Sequence, residues 1–157
     1  METSIPSEHN QCGVSNVAGV FMTLKGGRLE TSFAEYPWTA AIFDTRNKFL
    51  CNGVLISYKV VLTTATCLAP YQPLIVRAGD WDLATDRETV PHKTREVQDL
   101  ILHEQFNWDS MQDNIALLIL KEEFPRLQHI VPVCLIQEGV DLDYKKLFCH
   151  RVELQDL

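Results

Sequence analysis

Cys51-Asn52-Gly53-Val54-Leu55-Ile56-Ser57 and, two residues on, Val60-Val61-Leu62-Thr63-Thr64-Ala65-Thr66-Cys67 decide how this 157-residue chain folds. Each run is short and rich in β-branched and aliphatic residues, and each reads as a strand. One cysteine opens the first run and another closes the second, sixteen residues later. Similar apolar runs lie on either side, at Trp38–Phe43, Leu74–Ala78, Glu96–His103 and Ile115–Leu120, separated by turn residues. The first of the quoted pair extends back to Phe49, and the second is taken as a strand over Val60–Ala65. Six short strands with no long helical pattern predict an all-β domain, an antiparallel barrel or a sandwich. Ile115-Ala116-Leu117-Leu118-Ile119-Leu120 is apolar throughout, as a strand buried on both sides would be; a buried helix segment is the competing reading on periodicity alone. Residues 1–35 are polar, carry Gly13, Gly19, Gly26 and Gly27, and show no sustained period, which predicts an extended arm.

The whole chain sets outer bounds. Its length suits one domain with a sizeable core, and 46% hydrophobic content argues against wholesale disorder. A net charge of -7 excludes nucleic acid as a natural partner, because duplex binding draws on lysines and arginines that neutralise phosphates. No apolar run reaches the 18 or so residues of a membrane-spanning helix, so no membrane partner is expected. Met1–Glu8 has neither the basic start nor the apolar stretch of a signal peptide, which predicts a leader outside this chain or another export route.

Cys12, Cys51, Cys67, Cys134 and Cys149 contain no CxxC pair of the kind that marks zinc or redox sites, so disulfides are the better reading. An odd count leaves one sulfur over, and a partner chain, a missing segment and a free thiol all account for it.

The motifs, in order, are Tyr36-Pro37-Trp38, the Cys51 to Cys67 stretch, Arg77-Ala78-Gly79-Asp80-Trp81-Asp82, Asp113-Asn114-Ile115-Ala116-Leu117-Leu118 and Pro132-Val133-Cys134-Leu135. This series resembles the chymotrypsin/trypsin-like serine proteases. With Gln11-Cys12-Gly13 and Val90-Pro91-His92 added, it is more specifically similar to the arthropod clip-domain serine protease homologues, the non-catalytic branch that includes cofactors of prophenoloxidase activation. The resemblance covers residues 11–149 and implies a six-stranded antiparallel β-barrel, the first barrel of a chymotrypsin-like fold. It divides the chain into an arm over 1–35 without a clip domain, a partial trypsin-like domain over 36–149 and a divergent tail over 150–157.

That family's active site needs a serine nucleophile, a histidine base and an aspartate to orient the histidine. By resemblance Thr66 stands at the histidine position, since Leu62-Thr63-Thr64-Ala65-Thr66-Cys67 runs where the family has leucine-threonine-alanine-alanine-histidine-cysteine. Asn114 stands at the aspartate position, and the serine position is absent from the chain. A threonine hydroxyl cannot serve as a base near neutral pH, whereas imidazole can. Asp113 is next door, but neighbours on a strand face opposite ways, so it is expected to aim elsewhere. His103 matches a non-catalytic histidine of the family. The activation stretch is Thr23-Leu24-Lys25-Gly26-Gly27-Arg28, with no basic residue in the right place before the glycines and no isoleucine-valine pair after them. A catalytically inactive protein is therefore expected.

The resemblance implies disulfides Cys51 with Cys67 and Cys12 with Cys134, each worth about 2–4 kcal/mol if unstrained, and leaves Cys149 unpaired. Disulfides require an oxidising compartment, hence an extracellular protein. Asp80, Asp82, Asp86 and Glu88 read first as a solvated acidic turn tethered by Arg77 and Arg87; by resemblance the same loop could take calcium through Asp80 and Glu88. No other cofactor is implied. His9, His92, His129 and His150 lack zinc spacing and read as surface residues, and Trp38, Trp81 and Trp108 as packing. A barrel without its second half is expected to bare an apolar face. The sum predicts a secreted serine protease homologue that binds protein partners, clip-cascade proteases or prophenoloxidase, in innate immunity. Two other readings stand beside it: an inert truncated product, motivated by Cys149 and the tail, and a residual hydrolase that borrows a second barrel.

Overall fold

A computed structural model describes residues 12–20, 32–68, 73–83, 90–136 and 138–140. Six strands follow one another: β1 (Thr39–Asp44), β2 (Phe49–Ser57), β3 (Val60–Thr63), β4 (Leu74–Ala78), β5 (Lys93–Leu102) and β6 (Ala116–Leu120), with a 3₁₀ turn over Ala65–Leu68. They close into an antiparallel barrel in the order β1-β2-β3-β6-β5-β4. Neighbouring strands in sequence mostly pair directly; the β4–β1 contact, with Ala40 opposite Ala78 and Asp44 opposite Leu74, closes the ring.

The alternation of the strands fills the interior. In β4, Leu74, Val76 and Ala78 point inward and are buried, as are Ala116, Leu118 and Leu120 in β6. With Ile42, Leu55 and Val61 these form one core, capped at its end by Phe124 and Ile130. Each fully buried aliphatic side chain contributes about 1.5–3 kcal/mol from area removed from water. Gly53 has a packing reason: a Cβ there would run into Val61 Cγ1 and lie 3.3 Å from Ile42 Cδ1. At the β1–β2 connection Asn47 takes a left-handed φ of 61°, which asparagine tolerates better than most residues. The Asp44 carboxylate closes that turn by accepting from the Arg46 and Lys48 amides at 2.8 and 2.9 Å.

The described part of the arm lies on the barrel. Cys12 is bonded to Cys134, Gly13 N–H donates to Pro132 O at 2.8 Å, and the Asn16 side chain donates to Ala34 O and Gln128 O. Val20 N–H donates to Phe33 O at 3.0 Å, and both side chains are buried.

Four local expectations change. Strand β5 begins at Lys93, three residues before the apolar run, because its ladder with β4 runs out to Ala78 opposite Lys93 whatever the polarity of the outward side chains. Strand β3 ends at Thr63, so Ala65 and Thr66 lie in the 3₁₀ turn. Ile115 lies outside β6 and is exposed, and Leu117 and Ile119 are only half-buried, so β6 has one inner face rather than two. His129 is no surface residue: it is 2% exposed, packed beside the Phe33 ring and against Gly79.

Candidate functional site

Strands β3 and β6 pair with Thr63 opposite Ala116, so the segments that leave their ends emerge side by side. Beyond β3 the chain turns at once into Ala65–Leu68, and Cys67 there is bonded to Cys51 of β2 across a Cα separation of 6.0 Å. Thr66 rides on this short pinned turn.

Asn114 arrives from the other side. The residues ahead of β6 form a tight turn in which Ile115 N–H donates back to Asp113 O at 2.8 Å, with Asp113 at φ 52°. Asp113 and Asn114 are therefore not strand neighbours, and the alternation argued for Asp113 does not apply. The turn presents Asn114 to Thr66.

The two residues clasp each other. Thr66 N–H donates to Asn114 Oδ1 at 2.9 Å, and Asn114 Nδ2 donates to Thr66 Oγ1 at 3.1 Å. Thr66 Oγ1 also lies 3.4 Å from Thr64 Oγ1. An amide suits this double role because it offers an acceptor and a donor on one planar group. Both residues are half-buried, and the pair carries no charge and no group that titrates near neutrality. It can bind by hydrogen bonds; it has no base.

Other expected residues lie elsewhere. His103 is exposed at the root of the β5–β6 connection, its backbone N–H on Ile115 O and its Nδ1 accepting from Gln105 N–H. Asp80, just past β4, pairs with Arg77 at 3.1 Å and His92 at 3.6 Å. Of the acidic loop, Asp86, Arg87 and Glu88 lie outside the described residues, as do Cys149, His9, His150 and the stretch Thr23–Arg28. Among the described residues no three His, Cys, Asp or Glu side chains are grouped to hold a metal ion, and no helix is long and apolar enough to cross a membrane.

One feature of this end of the barrel has no local sequence signal. Ile101 faces Leu117 across the β5–β6 ladder. Together with Leu102, His103, Glu104 and Ile115 they line an open groove of about 610 Å³. Ile101 and Ile115 are 50% and 42% exposed and share this groove, so they form one apolar patch rather than scattered exposed residues. Nearby in the chain, the β5–β6 connection presents Trp108 at 43% exposure, edge-on to Phe106 at 4.8 Å.

The profile of the family Trypsin matches residues 26–147. The chain is 34% identical over 138 residues to "Inactive CLIP domain-containing serine protease A28" of Anopheles gambiae, an alignment covering 84% of this chain and 37% of that protein. It is 34% identical over 137 residues to "Phenoloxidase-activating factor 2" of Galleria mellonella, covering 79% of this chain and 45% of the relative. It is 33% identical over 110 residues to "Vitamin K-dependent protein C" of Rattus norvegicus, covering 70% of this chain and 23% of that protein. The chain thus spans less than half the length of these relatives.

Proposed function

Because the chain belongs to the trypsin family of serine proteases, we propose that it is a catalytically inactive homologue that acts by binding, as a regulatory protein in an extracellular proteolytic cascade of the clip-domain type. The observation that carries this reading is the Thr66–Asn114 clasp. On our reading, Thr66 and Asn114 stand where a trypsin-like protease would carry its histidine base and orienting carboxylate; this neutral, mutually hydrogen-bonded pair holds two loops together. Such a pair accepts no proton from a nucleophile near neutral pH. Relatives named inactive support the reading from outside the chain.

The extracellular setting rests on the two disulfides, which persist in oxidising compartments. The kind of partner rests on a relative named for phenoloxidase activation, and prophenoloxidase or a clip-cascade protease is the partner we propose. The groove at Ile101, Ile115 and Leu117 offers the exposed apolar surface that a protein partner would cover.

Reconstitution tests both halves. The full chain is added to a purified clip-cascade protease and prophenoloxidase, while hydrolysis of a chromogenic arginine substrate and labelling by a fluorophosphonate probe are followed in the chain alone. The expected result is a dose-dependent change in phenoloxidase activity with neither hydrolysis nor labelling. Labelling of the chain would overturn the inactive reading, and an unchanged phenoloxidase rate would overturn the proposed partner.

A further inference from the structure

His129 stands apart from the Thr66–Asn114 clasp and is enclosed by four segments of chain. From the arm, the Phe33 ring lies 6.2 Å away, centroid to centroid. From the end of β4 comes Gly79, whose φ of 73° and missing Cβ let the ring lie against it; a methyl group there would collide with His129 Cδ2 and stand 3.0 Å from Ile130 Cγ1. Ahead of β5, Pro91 provides the backbone carbonyl to which the ring is hydrogen-bonded. Its own neighbours Gln128 and Ile130 bind the arm through Asn16 and the core through the Leu127–Ile130 bridge.

With one ring nitrogen on Pro91, the other, Nε2, is buried and finds no hydrogen-bond partner among the described residues. The neutral imidazole fits this site, because an unprotonated Nε2 leaves no N–H stranded. Protonation adds a buried donor without an acceptor and a charge without water.

The charged groups around the site offer an imidazolium little help. Lys93 of β5 adds positive charge. Asp80, next to Gly79, has its Oδ2 on Arg77 and His92. On the arm, Glu35 accepts the Ser32 amide at 2.9 Å. Arg126, upstream on the same segment, lies over the Tyr58 ring and near Glu123.

We propose that His129 is an acid-operated latch: protonating its imidazole loosens residues 12–20 and 32–35 from the barrel, while the Cys12–Cys134 disulfide keeps the arm tethered. The arm is thereby coupled to pH through one side chain. Burial holds the His129 pKa below its ordinary 6.5, with Lys93 adding to the effect against the Pro91 bond. The opened state takes up a proton near pH 6.5, and the closed state only at lower pH. The latch is therefore fully closed above about 6.5 and weakens as pH falls toward the lowered value.

The test follows the full chain from about pH 7.5 to about pH 5 with two readouts: the NMR titration of the His129 ring and amide-exchange protection factors. The expected result is a midpoint below 6.5 for His129 and protection at Val20 N–H that falls by up to roughly tenfold per pH unit, the limit for one proton. Amides of β6 are expected to stay protected. A second arm uses His129→Asn, which keeps a neutral donor and cannot charge; its Val20 protection is expected to be flat over the same range. A midpoint at or above 6.5, a pH-independent Val20 amide in the wild type, or β6 amides that open in parallel would each overturn the latch. The wild-type readings decide the matter even where the variant does not fold; a pH-dependent Val20 amide in a folded variant would also overturn it.

Discussion

Thr66 and Asn114, 48 residues apart in sequence, are joined by two hydrogen bonds that are unequal under mutation. Asn114→Ala removes both and leaves the Thr66 N–H without its acceptor in a half-buried site, so a loss of about 1–3 kcal/mol is expected. Thr66→Val keeps the backbone donor on Asn114 Oδ1 and removes only the hydroxyl acceptor, and about 1 kcal/mol is expected. Urea midpoints for the two variants check the order; equal midpoints would mean that the hydroxyl, not the amide oxygen, carries the clasp. The identity of each residue is legible from its flanking motif, since Thr66 precedes Cys67 and Asn114 precedes Ile115-Ala116-Leu117-Leu118. That they bond each other is not legible, because the contact depends on the Thr63–Ala116 register and on the turn at Asp113. The burial of His129 was hidden for the same reason: Phe33, which packs beside it, lies almost a hundred residues away in sequence.

The elements report on packing and on turn chemistry. Gly53 of β2 sits against Val61 and Ile42, so Gly53→Ala overfills the core and is expected to cost about 1–3 kcal/mol, read as a lower midpoint in denaturant with the slope unchanged. At the β1–β2 turn, the amide of Lys48 above all, then that of Arg46, holds the Asp44 carboxyl below its ordinary 3.8. A lowered folded value means stability that is present above about pH 3.8 and lost as pH falls through the lowered value. Asp44→Asn is expected to flatten that part of the acid limb in a pH series of thermal melts, and an unchanged limb would remove Asp44 from the account. Strands of the barrel were legible where apolar residues cluster, as in β2, β4 and the inner half of β6. The first residues of β5, Lys93-Thr94-Arg95, were not, because all three side chains are polar and only the backbone ladder to β4 makes them strand.

For the molecule as a whole, the two disulfides close loops of very different length, with sequence separations of 122 for Cys12–Cys134 and 16 for Cys51–Cys67. On the chain-entropy account the longer loop is worth about 1–2 kcal/mol more than the shorter. Paired serine substitutions are therefore expected to lower stability more at 12 and 134 than at 51 and 67, measured by reversible denaturant unfolding; the reverse order would show that local structure around the Cys51–Cys67 turn outweighs loop entropy. The barrel's closure, finally, limits how anything can dock on it. Every strand from β1 to β6 has a neighbour on each side, but β5 divides its ladders, Lys93–Glu96 pairing with β4 and Val97–Leu102 with β6, so an incoming extended peptide meets a barrel wall whose backbone is largely, not wholly, taken up. Whatever recognises the barrel wall away from that stretch of β5 reads side chains and loops rather than backbone.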